Sequence, residues 1–195
     1  MSNTIAASPT VVILEESKYT PVSDATFESS SILDEAMALR QIEGFKLTGG
    51  NPHEIIDLLT QLSLHYVKEG KFDKALLSLK DACKLAEITY GQEHSVVAEI
   101  MVEMAFINFS QRRFESARTY LEPAIAIYEK NFGLISDQVA FAFHKLAKVY
   151  QASGQMQMAE KYCQKALSIY EKTSCPDDEQ INAARNDLIK IRQSQ

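Results

Sequence analysis

Apolar residues recur along much of this chain every three or four positions, the spacing that gives an α-helix one buried face. From about Pro52 to Lys68 the apolar set is Ile55, Ile56, Leu58, Leu59, Leu62 and Val67; from Phe72 to Tyr90 it is Phe72, Leu76, Leu79, Ala82, Ala86 and Tyr90. Only Glu69-Gly70-Lys71 separates the two segments, and so short a link predicts antiparallel neighbouring helices.

The pattern then repeats at an offset of 42 residues. Lys68 to Ala75, Ser110 to Ala117 and Ala152 to Ala159 are matching windows, and the same offset aligns Leu62, Met104 and Leu146, then Phe72, Phe114 and Met156. It also aligns Ala75, Ala117 and Ala159, then Ala82, Ala124 and Ala166, and then Leu85, Ile127 and Ile169. A small residue kept at one place in each unit marks a close helix crossing, because a larger side chain would push the backbones apart. Ile55, Val97, Val139 and Ile181 continue the register into a fourth first-helix without a partner, the expected place for a cap.

These residues resemble the tetratricopeptide repeat, with a small residue in the first helix (Ser63, Ala105, Ala147), an aromatic or Met opening the second, and two alanines seven apart within it. The unit length, the acids Glu87, Glu129 and Glu171, and Tyr90 to Ser95 are similar to the longer repeats of kinesin light chains. The resemblance implies an all-α superhelix: a solenoid of three helix-turn-helix repeats at about 51–92, 93–134 and 135–176, with a capping helix at 178–192. Arg112 stands where a turn glycine belongs, and Cys175 replaces another glycine. Pro123 falls inside a helix, which predicts a kink around residues 119 to 123.

Ahead of the repeats, residues 31–48 predict one more helix: Ser31 can cap it, and Ile32, Leu33, Ala36, Leu39, Ile42 and Phe45 share a face that would cover the first repeat. Residues 1–30 mix Ser, Thr, Pro and acids without a period, the composition of a disordered tail. Within that tail, Val11 to Leu14 followed by Glu15 and Glu16 either stays solvated or folds back onto the repeats.

The net charge of −6 is concentrated in residues 1–50, which carry seven acids and three bases. Without a basic stripe, binding to nucleic acid or to an anionic membrane is disfavoured, and no apolar run approaches the roughly 20 residues of a membrane span. Cys83, Cys163 and Cys175 form no Cys-x-x-Cys pair, so a disulfide framework and a zinc site are not indicated and a reducing, cytoplasmic setting fits. The four histidines form no ligand pair, and no P-loop, nucleophile elbow or dinucleotide fingerprint occurs. Cys163 shares its register with Leu79 and Leu121, which reads as core rather than as a nucleophile beside His144. No catalysis and no cofactor are expected.

What remains is binding. In the family the first helices line a concave groove, and by register that groove would hold Asp57, Thr60, Gln61, Leu64, Val67, Glu99, Val102, Glu103, Phe106, Phe109, Phe141, His144, Lys145, Lys148 and Asn186. Apolar pockets with a basic end at Lys145 and Lys148 would suit a peptide or helix of a protein partner. Thr60, Leu64 and Glu103 occupy positions where a carboxylate-clamp groove carries lysines and asparagines. The alternative to an adaptor is a structural subunit that meets its neighbours through repeat faces and ends; a chain of three repeats also leaves self-association open.

Overall fold

The computed structural model describes residues 35–173 and 179–194. Among them eight helices follow one another and no strand occurs: α1 (Glu35–Thr48), α2 (Pro52–Lys68), α3 (Phe72–Tyr90), α4 (Ser95–Ser110), α5 (Phe114–Phe132), α6 (Asp137–Ala152), α7 (Met156–Thr173) and α8 (Glu179–Gln193). The paired helices α2/α3, α4/α5 and α6/α7 are the three repeats, and α8 is the cap. The tail of residues 1–30, and with it the fold-back of Val11 to Glu16, lies outside the described residues, as do the Ser31 cap, Ile32, Leu33 and Cys175.

Local chemistry starts each first helix. Asn51 Oδ1 accepts from the His53 N–H at 3.0 Å beside Pro52 at the first helical position. His94 Nδ1 accepts from Val96 N–H at 3.3 Å, and Ser136 Oγ from Val139 N–H at 3.4 Å. Each contact satisfies a donor that the first turn leaves without a helical partner.

The turn inside each repeat is built the same way three times. Lys71 N–H donates to the Tyr66 carbonyl at 2.8 Å, Arg113 N–H to Asn108 at 2.8 Å, and Gln155 N–H to Tyr150 at 2.9 Å. The residue before each donor is left-handed, with φ of 72° at Gly70, 59° at Arg112 and 80° at Gly154. Arg112 therefore reaches the conformation its counterparts reach with glycine, and the substitution changes the cost of the turn without changing its geometry.

The packing follows the repeat register. Ala75, Ala82, Ala117, Ala124, Ala159 and Ala166 are all fully buried, as close helix crossings require. One core cluster joins α1 to α4 and a second joins α4 to α8, and α4 feeds both: Val97, Ile100, Met104 and Ile107 enter the first, Ala98, Val102 and Ala105 the second. A helix buried on two sides has to be apolar nearly all round, which accounts for the sequence Val96 to Phe109.

Two expectations change. In α1 the expected Ile42 is buried and the expected Phe45 packs beside it, but Leu39 is 45% exposed and Ala38 is buried in its stead. Tyr90 is exposed and stacks on His94, with ring centroids 4.9 Å apart, instead of entering the core. Pro123 lies within α5, which continues on both sides of it, and the proline is exposed, so water can satisfy the carbonyl that its missing N–H leaves free.

Candidate protein-interaction groove

The 42-residue offset places equivalent side chains on successive first helices. Asp57, Glu99 and Phe141 make one row, Gln61, Glu103, Lys145 and Asp187 the next, and Leu64, Phe106 and Lys148 a third. Gln61 is exposed and Leu64 half-buried. Phe106 is 50% exposed, although the apolar residues around it on α4 enter the two cores. Phe109 is half-buried against Phe114, ring centroids 5.9 Å apart.

Two carboxyl groups on α4 behave unlike surface acids. Burial raises Glu99 to about 7, and the charge of Asp57 across on α2 adds to the effect while His53 opposes it. Burial also raises Glu103 to about 7, with Glu99 one turn away contributing repulsion. Glu103 Oε2 is shielded from solvent and has no hydrogen-bond donor. Asp57 itself is exposed and lies 3.8 Å from His53 Nε2.

At the other end, α8 changes the site that the sequence suggests. His144 Nε2 donates to Asp187 Oδ2 at 3.0 Å, and Lys148 Nζ approaches the same oxygen at 3.4 Å. Lys190 Nζ lies 3.6 Å from Oδ1. The His144 hydrogen bond, and then the Lys148 charge, hold Asp187 down to about 2 against the opposing effect of burial. Lys145 Nζ sits over the Phe141 ring at 4.8 Å.

Of the expected groove residues, Val102 and His144 are buried, at 9% and 8% exposure, and so do not line an open wall. Val102 is drawn into the second core by packing within its repeat, and His144 is covered by α8. Val67 packs against the first core, and Thr60 turns its hydroxyl to the Ile56 carbonyl at 2.9 Å. The basic end is not a free one: Lys148 already answers Asp187. Asp187 was missed from the sequence, although the offset that aligns Ile181 with Val139 also puts it in the row of Glu103 and Lys145.

The reading of Cys163 as core holds: it is fully buried, its thiol donates to the Ala184 carbonyl at 3.3 Å, and burial raises it to about 11. A thiol so held is a poor nucleophile. A shallow concavity of about 570 Å³ lies away from the groove, between Tyr90 to His94 and the end of α5. Its polar groups are already engaged, Lys130 with Glu93 and Asn131 Nδ2 with the Glu93 carbonyl at 2.7 Å. Among the described residues no group of three His, Cys, Asp or Glu side chains could hold a metal ion, and no helix is long and apolar enough to cross a membrane.

Comparison with known proteins agrees with this architecture. The tetratricopeptide-repeat family model matches residues 96–172. BtubC from P. vanneervenii superposes with a TM-score of 0.74 at 21% identity, covering 82% of this chain and 64% of that one. The chain thus spans less than two thirds of the length of that protein. The nearly identical TPR-like repeats of a P. anserina kinesin-light-chain-like protein give a TM-score of 0.67 at 21% identity, over 82% of this chain and 76% of theirs. The first TPR domain of human RPAP3 gives 0.55 at 19% identity, over 74% and 94%. No curated protein sequence matches the chain.

Proposed function

Starting from a tetratricopeptide-repeat solenoid whose fold is that of kinesin-light-chain-like repeats, we propose that the chain is a non-enzymatic adaptor that holds a peptide or helix of a protein partner against α2, α4 and α6. Tetratricopeptide repeats in general mediate protein–protein interaction. The observation that carries the groove reading is Phe106. It is half exposed at the centre of the first-helix layer, and burying the remaining half of a phenylalanine stabilises a contact by roughly 1 kcal/mol. Aromatic anchors in the middle of a surface are where binding energy concentrates.

Affinity capture from lysate with the intact chain, compared with Phe106→Ala, tests this. The proposal expects captured partners to be lost from the variant while its helical circular dichroism is unchanged. A second reading, that of a structural subunit, is favoured by Phe132, Leu134 and Ile135, which are 41%, 68% and 56% exposed at the α5–α6 turn. Capture that survives Phe106→Ala but fails with Ile135→Ser would select that reading instead. Cys83 and Cys163, the free cysteines among the described residues, suit a cytoplasmic site of action.

A further inference from the structure

We propose that the α2–α4 half of the groove receives a basic side chain, so that the partner segment carries a lysine or arginine next to an apolar residue; this rests on the groove reading above. Asp57 and Glu99 share a row on adjacent first helices, Glu103 lies one turn beyond Glu99, and the exposed Phe106 ring lies nearly one turn further. Glu103 Oε2 is buried without a donor while the residue as a whole is only half-buried, so a group entering the groove can draw the carboxyl out and supply the partner it lacks. A guanidinium or ammonium group supplies both the donors and the charge.

The opposite occupant, an acidic segment, fits less well. It would need a free cation at the far end of the groove, but Lys148 is 3.4 Å from Asp187 and the Lys145 ammonium is seated over Phe141. An acid placed nearer α4 would meet Asp57, Glu99 and Glu103, a like-charge juxtaposition that selects against it. Burial holds Glu99 and Glu103 near 7, so at neutral pH each keeps part of its proton, which an arriving cation displaces. The charged groups facing the pair are Asp57 and His53 on α2 and, by register, Lys145 on α6. Binding should therefore strengthen as the pH rises from 6 to 8, with proton release.

The experiment is selection of a random dodecapeptide library on phage against the full chain. Lysine or arginine should be enriched at a fixed spacing from an apolar residue, and the selected peptides should bind Glu99→Gln/Glu103→Gln at least about tenfold more weakly, the loss of one charged contact. Asp57→Asn, at an exposed position, should weaken them in the same direction and guards against misfolding of the double variant. Enrichment of acids, the absence of any charge preference, or unchanged affinity for the Gln and Asn variants would overturn the proposal. Binders that need Phe106 but ignore these acids remove only the basic-residue inference. Binders indifferent to Phe106→Ala, or no binders at all, remove the groove reading and this proposal with it.

Discussion

At the scale of single residues, Glu103 is the side chain whose surroundings least suit its ordinary charge. Its carboxyl is raised to about 7 by burial and by Glu99, against roughly 4.3 for an unperturbed glutamate. Between those values the folded state holds more protons than the unfolded one, so this residue's contribution to stability is greatest below about pH 4 and declines as the pH climbs toward 7. Glu103→Gln removes that decline. Urea unfolding should show the variant gaining on the parent at pH 8 and differing little at pH 5, and an equal difference at both would refute the assignment. Local sequence shows Glu99 one turn away, but the larger effect is burial, which comes only from packing between helices. The His94 cap is a different kind of feature, since it reaches only as far as Val96 and capping is decided within a few positions.

At the scale of elements, the alanine rows carry the argument. Ala117 and Ala159 are fully buried at the same place in successive second helices. Leu at either position should cost roughly 1–3 kcal/mol by overpacking, measured by chemical denaturation; a loss near zero at both would show that no close crossing exists there. The helices and their turns were readable because each repeat restates the same constraint three times, so an exception such as Arg112 stands out against Gly70 and Gly154. The face of α1 was not so readable. With no second copy to compare, nothing in the register tested Leu39, and packing on α2 buries Ala38 beside Ile42 while leaving Leu39 outside. That Pro123 would lie inside a helix was legible, but its exposure depends on which way α5 turns against α4 and α6.

Across the whole molecule, each helix packs chiefly on the helices next to it in sequence, and α8 closes the last repeat. The cap covers Cys163, holds the His144 ring through Asp187, and is tied at its edge by Arg192 to Glu160 at 2.7 Å and by Arg185 to Glu171 at 2.8 Å. A chain ending at Thr173 should therefore expose Cys163, and iodoacetamide followed by mass spectrometry should modify that cysteine far faster than in the full chain. Equal protection in the two would mean that α8 is not its cover. The existence of the cap was legible from the register of Ile181. Its electrostatic anchor was not, because Asp187 meets His144 only once the offset is understood as adjacency in space.

That neighbour-on-neighbour arrangement also bears on how the protein is made. Each buried apolar face from α2 onward is matched by a segment that leaves the ribosome within a few tens of residues. Assembly can keep step with translation, and no exposed surface has to wait long in a crowded cell for a distant part of the chain to arrive.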